Sequence, residues 1–408
     1  MRALLSTIGS RGDVQPLVGL ALELRTRGAD VQLCVPPDFG EWIEGLGFPV
    51  TPIGPELRKM TNPAPGVKPF QPTPDEMRKL VEESVATQFA TVKTAAKGCD
   101  VIVAATALQI AARSVSEQIG ARYVFVAYCP AVLPSDRHAP PPVPAWSKTS
   151  APEPTDNREL WKRDGERFNA RFGDLLNAHR TSAGLAPVSD VRSHIFGDTP
   201  WLAADPTLGP WPAGDDDAPF QPGAWLVADD RQLPAEVERF VDAGDAPIYF
   251  GFGSARAPAG LGATMVAAAR AVGRRAIVAA GWGGLTRPDD GGDCLVIDGV
   301  NQQALFRRVA AVVHHGGAGT TTTAALGGAP QVIIPQMYDQ HYWAMRVGEL
   351  GIGIGHAAGT PTVESLTTAL EAALRPSVAT SARSVSRRVR RDGVRVAAER
   401  LMAEHGSR

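Results

Sequence analysis

The chain has little cysteine, almost no net charge and no long apolar run, and each shortage removes a class of protein. Its four cysteines, Cys34, Cys99, Cys129 and Cys294, lie far apart with no metal-ligand spacing, which excludes a disulfide framework or a zinc module; they read as plain buried thiols of a reducing compartment. No stretch approaches the ~18 continuous apolar residues of a membrane span. A formal net charge of -2 provides no global field to draw nucleic acid or anionic lipid, so any bound anion needs a built site. The six arginines between Arg383 and Arg395 have no aromatic residues among them and fit a solvated helical face. The start, Met1 to Gly9, runs straight into a Gly-rich turn, reading as a first strand and not as a secretory signal. These shortages predict a cytoplasmic protein with no metal site, no nucleic-acid partner and no integral membrane association. A hydrophobic fraction of 44% with 21% charged residues is that of an ordinary globular chain.

What is present is an alternation of strands and helices. Residues 2–7 and 31–35 are apolar runs flanking an amphipathic pattern in which Leu17, Leu20, Ala21 and Leu24 share one helical face, with Pro16 suited to the first helical position and Gly28 to the stop. Further strands are expected at 101–105 and 123–127. Around residues 205–223 the chain turns rich in Pro, Gly and Asp, after which strands recur at 248–252, 276–280, 294–297, 311–314 and 331–335. The fold class is therefore α/β, with two Rossmann-like, doubly wound parallel-sheet domains facing a cleft. The expected divisions are 1–205 for the first domain, 206–224 for a linker, 225–380 for the second and 381–408 for a C-terminal helix. Two stretches with seven prolines each, residues 52–74 and 134–154, resist helix and sheet interiors and are expected to shape a substrate site.

The sharpest chemical signal is Val313-His314-His315-Gly316-Gly317-Ala318-Gly319-Thr320-Thr321, which follows a strand and opens a helix. Glycines allow close backbone approach, and free N–H groups at a helix start favour an anion. The spacing fits neither the dinucleotide-binding glycine pattern nor a Walker loop, leaving a phosphate cradle with His315 and Thr320 as side-chain donors. Asp339-Gln340 follows the next strand at the same end of the sheet and has the donor and acceptor chemistry to hold adjacent sugar hydroxyls, or else Asp339 is a helix N-cap.

These segments, with Gly9-Ser10-Arg11-Gly12-Asp13-Val14-Gln15-Pro16, Gly251-Phe252-Gly253-Ser254 and Pro200-Trp201-Leu202-Ala203-Ala204-Asp205, resemble the bacterial antibiotic and sterol branch of the family 1 glycosyltransferases. The last stretch, with Gly223-Ala224-Trp225, is similar to the glycopeptide-antibiotic members in particular. The resemblance implies a GT-B fold and an inverting hexosyl transfer from a dTDP- or UDP-sugar to a hydroxyl of a bulky apolar natural product, such as a glycopeptide, macrolide or ansamycin, without cofactor or metal. It implies that the second domain binds the donor. His315, Gly317, Ala318, Gly319 and Thr320 would hold the diphosphate, with Ser254 and Ser10, Arg11 and Gly12 closing on it. Trp282 and the backbone at Val300 would hold the base, and the last helix would brace the first domain.

The same resemblance implies the general base. Related enzymes carry histidine in a Gly-His-Val-Asn-Pro run that aligns with Gly12 to Pro16, which makes Asp13 the base; Pro16 at the helix start makes Gln15 the expected N-cap. The structural alternative for Asp13 is an Asx turn, and Asp339 is the other candidate base. Sterol and phenolic glucosyltransferases are alternative members of the same class. From other classes, a sugar-nucleotide epimerase shares the fold, though it needs no pocket for a large acceptor, and a non-catalytic helper would tolerate loss of Asp13 or the cradle.

Overall fold

Six apolar runs in each half become parallel strands. The computed structural model describes residues 1–61, 72–106, 108–142, 156–214, 218–254, 260–287, 289 and 291–406. In the first half the strands are β1 (Arg2–Thr7), β2 (Asp30–Val35), β3 (Val50–Pro52), β4 (Val101–Ala105), β5 (Arg122–Ala127) and β6 (Trp201–Leu202). In the second they are β7 (Ile248–Gly251), β8 (Ala276–Ala279), β9 (Cys294–Ile297), β10 (Ala311–His314), β11 (Gln331–Ile333) and β12 (Gly353–Gly355). The spatial orders, β3-β2-β1-β4-β5-β6 and β12-β11-β10-β7-β8-β9, are one permutation used twice, and every pairing is parallel.

Parallel strands need crossovers, and helices on both faces bury them, which is why these segments read as unbroken apolar runs. In the second sheet Tyr249, Ile277 and Val312 pack with Leu305 and Phe306, while their neighbours Phe250, Val278 and Val313 pack on the other face with Met265, Leu366 and Leu370. The strand order reverses between β1 and β4 and again between β7 and β10. Loops leaving those carboxyl ends diverge, and a doubly wound sheet offers its ligand crevice there. Both doubly wound α/β halves of the expected fold are thus present.

The chain divides into two compact units, one of residues 1–204, 211–227 and 391–408, the other of residues 205–210 and 228–390. The stretch expected to be a linker is shared between them. Asp205 Oδ1 accepts from Thr207 N at 2.8 Å and Leu208 N at 3.2 Å, Oδ2 accepts from Arg390 N at 2.8 Å, and Leu208 O accepts from Arg346 Nε at 2.9 Å, all in the second unit. In the first, Leu202 N donates to Phe220 O at 2.9 Å and Gln221 Nε2 to Ala204 O at 3.0 Å. A Pro, Gly and Asp-rich composition signals only that helix and sheet are unavailable; here side chains and single backbone bonds hold the chain instead. Half of the two proline-rich stretches, residues 62–71 and 143–154, lies outside the described residues, although residues 57–61 within the first form a short helix.

The C-terminal segment also divides: the Pro376–Ser386 helix belongs to the second unit, and the Gly393–Gly406 helix packs on the Arg11–Thr26 helix in the first. Its entry is backbone against backbone. A Cβ on Gly393 would stand 2.5 Å from Ala224 O and from Gly223 C, and one on Gly19 would stand 3.3 Å from Leu226 O. Gly393→Ala should therefore cost about 1–3 kcal/mol by overpacking, lowering the thermal midpoint by several degrees, whereas Gly406→Ala, with nothing within 4 Å, should leave it unchanged. Equal midpoints for the two variants would show that this approach is not tight.

Candidate active site

The first half-site forms at the carboxyl end of β1. The chain enters the Arg11–Thr26 helix at Ser10, whose hydroxyl accepts from Gly12 N at 3.3 Å. Asp13 Oδ2 accepts in return from Ser10 N at 2.7 Å and Ser10 Oγ at 3.2 Å, so Ser10 and Asp13 form a capping box. This corrects the expected start: Ser10, not Gln15, is the N-cap, and Pro16 lies inside the helix. The reciprocal cap offsets the single bond lost because Pro16 has no N–H for the carbonyl of Gly12. A Cβ on Gly9 would fall 2.3 Å from Asp13 Oδ2, so glycine there is what lets the carboxylate reach back.

Burial is the largest influence on the Asp13 carboxyl and pushes it up to about 6, against the Ser10 hydrogen bonds that pull it down. Asp13 is then a stronger base than a free aspartate near ~3.9 and is still mostly ionised at neutral pH. Tyr128 Oη donates to the Asp13 carbonyl at 3.0 Å, tying β5 to this turn. Arg11 and Gly12 are exposed; Arg11 Nε donates to Gln15 Oε1 at 3.4 Å, and the guanidinium carbon sits 5.1 Å from the centroid of the Trp42 ring.

The second half-site forms where β7 and β10 part. Gly316 turns at φ +96 and Gly317 is the N-cap of the Ala318–Gly327 helix with no side chain capping it. The first amides of that helix, including those of Ala318, Gly319 and Thr320, consequently have no intrahelical partner, and Gly319 is exposed with open space beside it. His315 leans over this turn. A Cβ on Gly317 would stand 2.7 Å from His315 Nε2, and one on Gly253 would stand 3.5 Å from His315 Cε1, so the ring lies between the β7 and β10 loops. Burial pulls the His315 imidazole down to about 4, which makes it a neutral donor and not a cation. Its buried Nδ1 has no partner among the described residues, and its Nε2 is the ring atom nearest Gly317.

Ser254 follows Gly253 in the β7 loop. Trp282 N donates to Gly253 O at 3.0 Å, and a Cβ on Gly281 would stand 2.6 Å from that same oxygen, so the β7 and β8 loops are pressed together. Val300 lies after β9, half-buried against the Tyr249 side of the sheet. Asp339 stands at the N-cap position of the Gln340–Glu349 helix but its side chain does not cap it; Oδ2 accepts from Trp343 Nε1 at 3.2 Å. Gln340 Oε1 accepts from Gln336 N at 2.7 Å and Met337 N at 3.2 Å, which leaves its amide nitrogen as the remaining donor of the side chain. Just before Asp339, Tyr338 sits at φ +52, a left-handed position unusual for a bulky residue and of the kind that functional loops hold.

The structure thus places Ser254, Trp282, Val300, His315 to Thr320, Asp339 and Gln340 on the carboxyl edge of one sheet, and Ser10 to Asp13 on that of the other. Sequence reasoning missed Tyr128 and Trp343, whose hydrogen bonds join residues distant in the chain or buried within a helix, and it missed Gln331, a lone polar residue in an apolar strand. Among the described residues no group of three or more His, Cys, Asp or Glu side chains is placed to hold a metal ion.

Comparison with known proteins adds the family. The model "Glycosyltransferase family 28 N-terminal domain" matches residues 3–132, and "Erythromycin biosynthesis protein CIII-like, C-terminal domain" matches residues 291–398. "Glycosyltransferase GtfE" of Amycolatopsis orientalis is 47% identical over 408 residues, 100% of this chain and 98% of the relative. The chain belongs to the vancomycin-type glycopeptide glycosyltransferases. A second member, "Vancomycin aglycone glucosyltransferase" of the same organism, is 45% identical over 404 residues, 98% of this chain and 97% of its own. Among solved structures, the calicheamicin glycosyltransferase CalG4 superimposes with a TM-score of 0.68 at 19% identity, covering 99% of this chain and 98% of that one, which shows the GT-B fold. Ser10 to Asp13 follow β1 and His315 to Thr320 follow β10, at the two points where the strand order reverses.

Proposed function

We propose that this glycosyltransferase moves a hexose from a dTDP- or UDP-sugar to a hydroxyl of a bulky, largely apolar natural-product aglycone of the glycopeptide class, inverting the anomeric carbon and needing no metal. The observation that carries the reading is the uncapped start of the Ala318–Gly327 helix beneath His315. In the reaction, Asp13 takes the proton of the acceptor hydroxyl and the oxygen attacks the anomeric carbon. The bond from that carbon to the diphosphate breaks, and the diphosphate leaves with the electron pair. Free amides, the helix dipole and the His315 Nε2–H meet the charge that develops there, the task a cation performs elsewhere. Asp339 and the Gln340 amide nitrogen hold sugar hydroxyls, Trp282 and the Val300 backbone hold the base, and Ser10, Arg11, Gly12 and Ser254 complete the diphosphate site. The acceptor class is supported by a relative named for vancomycin aglycone.

His315→Ala should weaken dTDP binding by roughly tenfold to a hundredfold, the loss of one hydrogen bond to a charged group. Calorimetric titration of both proteins checks this, and an unchanged dissociation constant removes His315 from the site. NMR of the glycosylated product reads the anomeric configuration; retention would refute direct displacement.

A further inference from the structure

His314 precedes His315 yet lies on the other side of the chemistry: it is fully buried, as is Gln331 beside it on β11. His314 Nδ1 accepts from Gly316 N at 3.1 Å, so its proton is on Nε2, which lies 3.0 Å from Gln331 Oε1. With its oxygen accepting, Gln331 turns its amide nitrogen to Thr321 O at 3.3 Å, and Thr321 Oγ1 donates to Gly317 O at 3.0 Å. The bonds close a ring from Gly316 through His314, Gln331 and Thr321 to Gly317. Every donor in it has one acceptor, and the other imidazole tautomer would set an N–H against the N–H of Gly316. Burial keeps the His314 ring neutral, drawing it down to about 3.

A glutamine amid buried valine and isoleucine costs desolvation unless its amide is fully used. Here it is used on both sides, and both lead to the turn that aims the helix start.

We propose that Gln331 and His314 are positioning residues that orient the phosphate cradle from behind, through a single fixed tautomer and without touching the ligand. This rests on the reading of that cradle as the diphosphate site. The ring ties the left-handed turn at Gly316 to the first helical turn at Thr321, so the free amides between them are aimed before ligand arrives. Pre-aimed amides cost no reordering on binding, which is what makes such donors effective.

The test compares ligands that differ only in phosphate. Gln331→Leu should lose about tenfold or more in affinity for thymidine diphosphate, as forfeiting of order 1 kcal/mol or more of hydrogen bonding implies. Its affinity for thymidine, read by competition in saturation-transfer NMR, should move less than twofold, and KM for the donor should rise more than kcat falls. A folded Gln331→Leu protein that binds thymidine diphosphate as the parent does overturns the proposal, as does an equal loss of both ligands. The parent enzyme supplies an independent arm should that variant not fold: long-range 1H–15N spectra should show the His314 proton on Nε2, and a proton on Nδ1 overturns the ring outright. Failure of the parent to bind thymidine diphosphate, or an indifferent His315→Ala, would instead overturn the cradle itself.

Discussion

Asp13→Asn should lower kcat on the order of a hundredfold or more, as removal of a general base does, with dTDP-sugar affinity held within about twofold. Asparagine is the informative choice because its carbonyl oxygen can still accept from Ser10 N and keep the capping box that starts the helix. The fold is then spared and only the proton acceptor is lost. With its carboxyl raised to about 6, Asp13 should also make kcat/KM of the parent enzyme pH-dependent. The base works ionised, so activity should fall as pH drops through about 6, and the acid limb should vanish in Asp13→Asn. Stability runs the other way. A carboxyl raised on folding binds its proton more tightly in the native state, so its stabilising contribution is complete below the unfolded value near ~3.9 and is lost as pH climbs through about 6. Near-parental turnover in Asp13→Asn, with Asp339→Asn inactive yet binding donor normally, would transfer the base role to Asp339.

Gly316→Ala should damage both the stability of the second unit and its affinity for dTDP. The residue sits at φ +96, and an added Cβ would lie 2.6 Å from Ile333 Cγ2 and 3.2 Å from Gln340 O. Left-handed strain and overpacking each cost about 1–3 kcal/mol, so a loss of roughly 2–6 kcal/mol is expected. Relief by rotating the turn would swing the Gly316 N–H off His314 and misaim the helix start, so dTDP affinity should drop more than tenfold alongside. Gly319→Ala is the contrast: its Cβ meets nothing within 4 Å, and its thermal midpoint should match the parent's. A Gly316→Ala protein with parental midpoint and parental dTDP affinity would show that the turn is not constrained.

Much of this was legible because parallel strands, buried on both faces, announce themselves as apolar runs: nine of them were located in the sequence to within a residue or two. The three that escaped, β3, β6 and β12, have only two or three residues each, and β3 ends in Pro52 while β12 carries glycines at 353 and 355, so no pattern distinguishes them from loop. The helix start at Ser10 was misread for a physical reason. Pro16 is a strong local signal, whereas a capping box with aspartate at its third position is a weak one. At the candidate site, His315 and the glycines were readable because motif and backbone chemistry coincide. The division of labour between the two adjacent histidines was not, since it depends on Gln331, seventeen residues away and meaningful only once β10 and β11 lie side by side. Likewise no periodicity could foretell that Gln340 turns its oxygen inward to its own loop.

The return of the last helix to the first unit has a consequence for biosynthesis. The Arg11–Thr26 helix is made almost at once, but Val394, which with Leu226 closes over Gly19, emerges only after the whole second unit has been synthesised. At about 5–20 residues per second, that leaves the first sheet without its final layer for roughly ten to forty seconds. The order of manufacture is thereby reversed at one point: the half that begins the chain is the last to be finished.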